Sequence, residues 1–472
     1  MKKTILYPAI ITILFVSQVL SAQNTNLKES LTGSWLGRIN TGAIELRVVF
    51  NISTVENDSL VATFDSPDQG AKGIKIGPVV LSGDSLKISA PLLRARYVGE
   101  IKNDTIIDGQ WTQAGVVFSL PLKKLKKELL VNRPQEPKPP FPYKSEDVTF
   151  TNHRFNIKLA GTLTIPEGKG PFPAAVLITG SGPQNRNEEL MGHKPFLVIA
   201  DYLTRHGIAV LRYDDRGVGK SQGNYGQATS ADLATDAEAA WEYLKDQPFS
   251  NPEKTGLIGH SEGGLIAPMV ASKNDSVAFI VSLAGPGVNG EKIILKQSQD
   301  ISRQMGISEK KIKENTDINR RLYDILKKEK DNRVAEEKIL ATYRDILEKQ
   351  KLSSGDIENA IKRLKATFGA NSYTWLRYFM MTDPSVYWKK VKCPVLALDG
   401  SKDLQVDARE NLPAIKKAVE SSGNMNVKTI MLPDLNHLFQ HCKTGLPSEY
   451  SDIEETFSPE ALKIITDWIL AL

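Results

Sequence analysis

The run Gly259-His260-Ser261-Glu262-Gly263, followed by Gly264, holds the residue types a serine nucleophile needs. A serine hydroxyl attacks a carbonyl only when a base takes its proton and an acid orients that base. Glycines on both sides let the chain turn sharply from strand to helix, where larger side chains would strike neighbouring backbone. The flanks agree, since residues 255–259 read as a strand and 265–271 as a helix. Such a turn lifts the Ser261 hydroxyl above a sheet edge and aims the next helix's N–H groups at developing negative charge.

The base and the acid must follow the elbow in the order serine, acid, histidine. Of six histidines, only His437 and His441 lie after it. His437 follows the strand-like residues 427–432 through Pro433-Asp-Leu-Asn436 and is the expected base. His441, one helical turn further, is the second choice. His260 reads as a packing or hydrogen-bonding member of the elbow, and His153, His193 and His206 have no comparable placement. For the acid, the strand-like 395–398 runs into Asp399-Gly-Ser-Lys-Asp403. Asp403 is the choice, with Asp399 bracing the turn and Asp407 and Asp434 in capping or turn roles.

A second oxyanion donor is expected on the loop after the first buried strand, 174–179, in Gly180-Ser-Gly-Pro-Gln184. The amides of Ser181 and Glu262 are assigned to it, because glycine neighbours allow close backbone approach. No Gly-Lys-Ser/Thr follows, which argues against a phosphate cradle there. The segment 213–223 fits neither nucleotide-loop spacing, so Asp214, Asp215 and Arg216 are read as ties between loops. Sparse histidines and the absence of a Cys-x-x-Cys spacing lead to an expectation of no metal and no cofactor.

These residues need a sheet to hold them. From about 145 onward, apolar runs at 174–179, 208–213, 255–259, 278–284, 395–399 and 427–432 alternate with helix-like segments such as 231–244, 408–419 and 459–470. Continuous apolar strands suit a parallel sheet buried on both faces. The expected class is therefore α/β, doubly wound and mostly parallel. Over a hundred residues interrupt the alternation, and 307–369 reads as two or three amphipathic helices. An insertion at about 288–390, after a strand's C-terminal end, is expected to cap the site; a merely ornamental insertion is the alternative.

Residues 28–125 read as an all-β domain, a small barrel or sandwich. Its turns nearly repeat, as Asn57-Asp-Ser-Leu60, Gly83-Asp-Ser-Leu86 and Asn103-Asp-Thr-Ile106. It could serve as a ligand cup or purely as structure. A proline-rich linker, 126–144, follows; the lysines at its start are read as a solvated edge.

Residues 1–22 read as an export signal, with Lys2 and Lys3, an apolar run, and Ser21-Ala22 before Gln23. Pro8, Ser17 and Gln18 interrupt the run and argue against an uncleaved anchor. An exported, periplasmic protein with no span after cleavage is expected. The chain has 472 residues, 41% hydrophobic and 24% charged, which excludes wholesale disorder and suggests several domains. A net charge of +5 gives little support to a nucleic-acid partner. The two cysteines are expected to be free thiols.

At these motifs the sequence resembles the α/β-hydrolase superfamily, most closely bacterial carboxylesterases and serine aminopeptidase-like hydrolases with a Gly-His-Ser-Glu-Gly-Gly elbow. The resemblance covers about 145–472, through Gly180–Gln184, the Asp-Asp-Arg-Gly-x-Gly-x-Ser turn, the elbow, Asp403 and His437. It departs at Thr179-Gly180, where many relatives carry His-Gly. It implies a carboxylesterase acting on small acyl esters. The alternatives are an aminopeptidase or acyl-peptide hydrolase with the same triad, and a glycan- or lipid-binding protein with a vestigial hydrolase domain. Acyl and alcohol preference and oligomeric state depend on packing that these motifs do not encode.

Overall fold

The computed structural model describes residues 27–40, 45–55, 59–127, 132–367 and 369–472; the expected export signal lies outside them. The chain forms two compact units, divided after Val131.

The first unit is one antiparallel sheet of ten strands: β1 (Gly33–Asn40), β2 (Glu45–Val55), β3 (Ser59–Ser66), β4 (Ala71–Ile76), β5 (Val79–Ser82), β6 (Ser85–Ala90), β7 (Ala95–Asn103), β8 (Ile106–Gln113), β9 (Val116–Ser119) and β10 (Leu122–Lys124). Their order is β4-β3-β2-β1-β10-β8-β7-β6-β5, with β9 on β8, a half-barrel rather than a two-sheet sandwich. The repeated turns do what their composition suggests. Gly83 takes φ 57° between β5 and β6, and Asn103 Oδ1 accepts the Thr105 amide at 2.9 Å between β7 and β8. Asn57 and Asp58 of the first such turn lie outside the described residues. Alternate residues Trp35, Gly37 and Ile39 of β1 point inward, as a half-buried strand requires. Trp35, Phe50, Phe64, Tyr97 and Trp111 fill the core, with Phe64 stacked on Trp111 at 5.4 Å. Gly109 makes that packing possible, because a Cβ there would lie 2.3 Å from Tyr97 Oη.

The second unit holds an eight-stranded sheet. Its strands are β11 (Lys144–Asn152), β12 (Ile157–Ile165), β13 (Phe172–Ile178), β14 (Ala209–Tyr213), β15 (Ser250–His260), β16 (Ile280–Leu283), β17 (Val395–Gly400) and β18 (Val427–Leu432). The order is β11-β12-β14-β13-β15-β16-β17-β18. The ladders from β14 to β18 are parallel, whereas β11 and β12 form an antiparallel hairpin at one edge. The sequence reading did not include this hairpin. Its outer strand carries Lys144, Glu146 and Asp147, an edge composition without an apolar run. Helices Ser230–Lys245, Glu262–Ala271 and Ala408–Glu420 share a core with one face, through Trp241, Leu265 and Ile415. Helices Pro195–Arg205 and Pro459–Leu470 share a core with the other, through Phe196, Leu203 and Ile465.

The proline-rich stretch is part of this unit and not a free spacer. The Arg133 guanidinium donates to the carbonyls of Met191, Gly192, Ser451 and Ile453. Gln135 bonds both the Phe457 carbonyl and the Thr456 amide. Prolines thus hold the chain extended while the polar residues between them fasten it down.

Between β16 and β17 the chain forms helices Gly290–Gln304, Glu309–Lys328, Asn332–Lys349, Ser354–Thr367, Ala370–Met381 and Ser385–Trp388. Ser308 and Asp331 cap the second and third by accepting backbone amides. Leu322, Leu326, Ile339, Tyr373, Leu376 and Met380 give the insertion its own core. Its two ends meet at a narrow neck, where the Gly290 amide and Asn289 Nδ2 both donate to the Thr382 carbonyl, at 3.3 and 3.2 Å. Cys393 and Cys442 are both free.

Candidate active site

The last five residues of β15 are buried, and the chain then breaks direction at Ser261, with φ 52° and ψ −118°. A non-glycine residue is held in such a region only when its surroundings over-determine it. They do so here. A Cβ on Gly259 would lie 2.0 Å from the Gly263 carbonyl oxygen, and one on Gly263 would lie 2.1 Å from that of Ile178. A Cβ on Gly264 would lie 2.6 Å from Gly285 Cα. Each glycine of the motif therefore permits a backbone approach that no side chain could survive. The Ser261 amide donates to the Leu283 carbonyl at 2.8 Å, while its hydroxyl forms no capping bond to helix Glu262–Ala271. The hydroxyl is left for other work.

The loop after β13 lies against this elbow, since a Cβ on Gly180 would approach Ser261 Cβ to 3.1 Å. It is pinned on every side. Thr179 Oγ1 donates to Asp215 Oδ1 at 2.8 Å, and the Gly180 amide donates to Glu188 Oε1 at 2.6 Å. The Gly182 amide donates to Tyr225 Oη and the Gln184 amide to Asp215 Oδ2, both at 2.9 Å. Among the described residues the Ser181 amide, flanked by these anchored neighbours, has no protein acceptor. The Glu262 amide sits at the first position of its helix, where no intrahelical acceptor exists. Thr179 thus supports the loop through Asp215. Burial pushes the Asp215 carboxyl well above the usual carboxylate range. Asp214 pairs with Arg186 and Arg216 with Asp236, so this turn ties loops together.

Asp403 and His437 meet on the loops after β17 and β18. His437 Nδ1 lies 2.6 Å from Asp403 Oδ2, and Asp403 Oδ1 accepts the Gln405 and Val406 amides at 2.7 and 2.9 Å. Burial alone would raise the Asp403 pKa. The neighbouring His437 and the Val406 amide outweigh it and hold the carboxyl below its usual range. Asp399 accepts the Gly400 amide at 2.7 Å, and burial followed by the Asp403 charge pushes its carboxyl well up. It braces the turn.

The remaining candidates have structural duties. Asp407 caps helix Ala408–Glu420, and Asp434 pairs with Lys402. His441 is not one helical turn beyond His437; it forms an isolated bridge with Leu435 and turns its ring to Glu455, on an exposed loop. His437 and His441 stand four residues apart, yet their rings face different carboxylates. No cluster able to hold a metal occurs among the described residues. His193 is buried against Thr456 and the Tyr450 carbonyl.

Three residues of the site went unnoticed in the sequence. Glu188 receives both the Gly180 amide and the His260 ring, at 2.6 and 2.9 Å. Ser230 and Trp375 both donate to Glu262 Oε1, at 2.5 and 2.7 Å. Glu188 lies 72 positions from His260, and Ser230 and Trp375 lie 32 and 113 from Glu262, and no spacing rule connects them.

A strained serine between strand and helix, an amide-rich loop beside it, and a buried Asp–His pair at the sheet's edge define a member of the α/β-hydrolase superfamily that resembles esterases. Residues 194–441 match the family described as serine aminopeptidase, S33. The chain belongs to that family. It is similar to Esterase EstD of Thermotoga maritima, 28% identical over 304 residues, which cover 63% of this chain and 61% of the relative. The chain thus spans less than two thirds of that relative's length. Among solved structures, an esterase of Pyrococcus furiosus matches at 18% identity and a TM-score of 0.42, over 73% of this chain and 98% of that one. Est1E of Butyrivibrio proteoclasticus matches at 16% identity and a TM-score of 0.40, over 68% and 96%.

Proposed function

We propose that the protein is an exported serine hydrolase that cleaves carboxylic esters of small molecules through an acyl-enzyme. Ser261 Oγ attacks the ester carbonyl while His437 Nε2 takes its proton. Asp403 holds the Nδ1–H and stabilises the imidazolium that forms. The carbonyl oxygen becomes an oxyanion between the amides of Ser181 and Glu262. Collapse expels the alcohol, which leaves with the proton from His437. Water, activated by the same histidine, then releases the carboxylic acid and frees Ser261.

The observation that carries this reading is the backbone of Ser261. It is held at positive φ by three glycine contacts, and its hydroxyl is left uncapped. The helical insertion follows β16 at the C-terminal end of the sheet, and in this reading it caps the acyl and alcohol pockets of a doubly wound core. The apolar leader directs export and is removed after Ala22.

The family's description favours a second reading, an aminopeptidase using the same three residues. It requires a carboxylate to hold the substrate's amine, and Glu262 is the buried acid nearest the nucleophile in sequence. Paired assays with p-nitrophenyl acetate and aminoacyl anilides separate the two. A fluorophosphonate probe tests both, because labelling of the wild type at Ser261, abolished in Ser261→Ala, is required by either. Failure to label would favour a binding protein.

A further inference from the structure

His260 precedes the nucleophile and is buried, with 6% of its surface exposed. Its two ring nitrogens face two oxygens. Nδ1 lies 2.9 Å from Glu188 Oε1, and Nε2 lies 2.9 Å from the backbone carbonyl of His437. A carbonyl oxygen can only accept, so Nε2 carries hydrogen. Glu188 Oε1 also accepts the Gly180 amide at 2.6 Å, so the hydrogen between it and Nδ1 sits on one of the two, and a carboxylate accepting both bonds places it on Nδ1. A neutral imidazole supplies only one N–H and would leave a lone pair against an oxygen lone pair inside the protein. The charged groups around the ring are Glu188 and, further off, Asp403; the His437 ring stands 4.9 Å away, centre to centre. The other side is apolar, formed by Phe196, Ile199, Leu283, Leu438 and Phe457.

We propose that His260 is held as an imidazolium and acts as a positioning residue that fastens the Gly180–Ser181 loop to the His437 loop. The connection runs from the Gly180 amide through Glu188 and the His260 ring to the His437 carbonyl. The oxyanion donors and the base are thereby set relative to each other by the residue next to the nucleophile. Glu188 itself sits at φ 51°, a backbone conformation that its surroundings must hold. Burial opposes the charge on His260, but the Glu188 carboxylate and the His437 carbonyl overcome it, and the net shift is upward. The assembly is therefore complete while His260 carries both ring protons and comes apart as the pH rises through its raised pKa.

The proposal rests on the serine-hydrolase reading for its consequence but not for its first test. In the full chain with ¹⁵N-labelled histidine, both His260 ring nitrogens should show directly bonded hydrogens at neutral pH, assigned by their loss in His260→Gln. A single protonated ring nitrogen would overturn it. Glu188→Gln keeps an acceptor oxygen but removes the charge, so the His260 titration should move to lower pH. The alkaline limb of kcat for p-nitrophenyl acetate should move with it. At neutral pH kcat should fall by up to about 10²-fold with KM little changed, as misplaced catalytic groups produce. An alkaline limb that stays put while the His260 titration moves would also overturn the proposal. Should Glu188→Gln fail to fold, the wild-type comparison suffices, since the proposal requires the alkaline limb and the His260 titration to coincide. Absence of fluorophosphonate labelling in the wild type would instead refute the hydrolase reading and leave the NMR result standing.

Discussion

Trp375 Nε1 donates a hydrogen bond to Glu262 Oε1 at 2.7 Å, joining the helical insertion to the residue that follows the nucleophile. Burial raises the Glu262 carboxyl above its usual range, while the bonds from Ser230 and Trp375 oppose that rise. The insertion is thus keyed by a polar contact to the residue after Ser261.

Trp375→Phe keeps the ring and deletes the donor. Leaving a buried acceptor short of a partner costs about 1–3 kcal/mol, readable as a lower urea midpoint at unchanged slope. KM for ester substrates should rise severalfold with kcat nearly intact, because Ser261, His437 and Asp403 are untouched. A variant with wild-type stability and KM would show that the contact carries neither.

The conformation of Ser261 predicts an inversion of the usual glycine penalty. Strain at such a position costs of order 1–3 kcal/mol, and only glycine relieves it. Ser261→Gly should therefore be more stable than Ser261→Ala by about 1 kcal/mol in urea unfolding, although both are inactive. Equal stabilities would mean the turn is not strained.

Asp403→Asn retains the shape of the acid but not its charge. The loss in kcat should be about 10⁴-fold, as expected when the histidine is no longer held in the right tautomer. The depressed pKa of Asp403 in the folded chain also links it to stability. Its contribution is complete above the unfolded value of about 3.9 and drains away as the pH falls through the lower folded value. The stability gap between wild type and Asp403→Asn should accordingly narrow below about pH 4. A gap unaffected by acid would refute the assignment.

Gly263→Ala should prevent folding, since its Cβ would lie 2.1 Å from the Ile178 carbonyl oxygen. Gly226→Ala is the control, because its Cβ would meet nothing closer than Asn224 Oδ1 at 3.5 Å. It should stay within about 0.5 kcal/mol of wild type. Soluble expression and thermal unfolding distinguish the two.

The parts legible in the sequence are those governed by short-range rules. The glycine spacing around Ser261 announces a turn because one of its steric contacts, Gly259 against Gly263, is local, although Gly263 and Gly264 answer to Ile178 and Gly285 far along the chain. The parallel strands announce themselves by their mostly apolar runs, although edge strand β18 is buried only at Leu432. The amphipathic spacing in 307–369 predicts two or three helices, and three appear, at Glu309–Lys328, Asn332–Lys349 and Ser354–Thr367. What stayed hidden depends on partners far along the chain. Glu188 reads as one more polar loop residue until its carboxylate meets His260, 72 positions later. Trp375 reads as a core aromatic until its indole finds Glu262, 113 positions earlier. The β11–β12 hairpin was hidden by its polar edge, and the proline-rich stretch looked detached because its anchors, Arg133 and Gln135, bond backbone groups that no side-chain pattern reveals.

The meeting of Asn289 and Gly290 with Thr382 has an architectural consequence. Two chain ends that touch can be joined by a short connector without stretching the scaffold around them. The five helices between them, Gly290–Gln304 to Ala370–Met381, form a cassette that could be lifted out, or exchanged for a helical segment of another size, while the strands leading to Ser261, Asp403 and His437 keep their places. In the proposed esterase reading, substrate range can in this way diversify at one graft point without renegotiating the chemistry beneath.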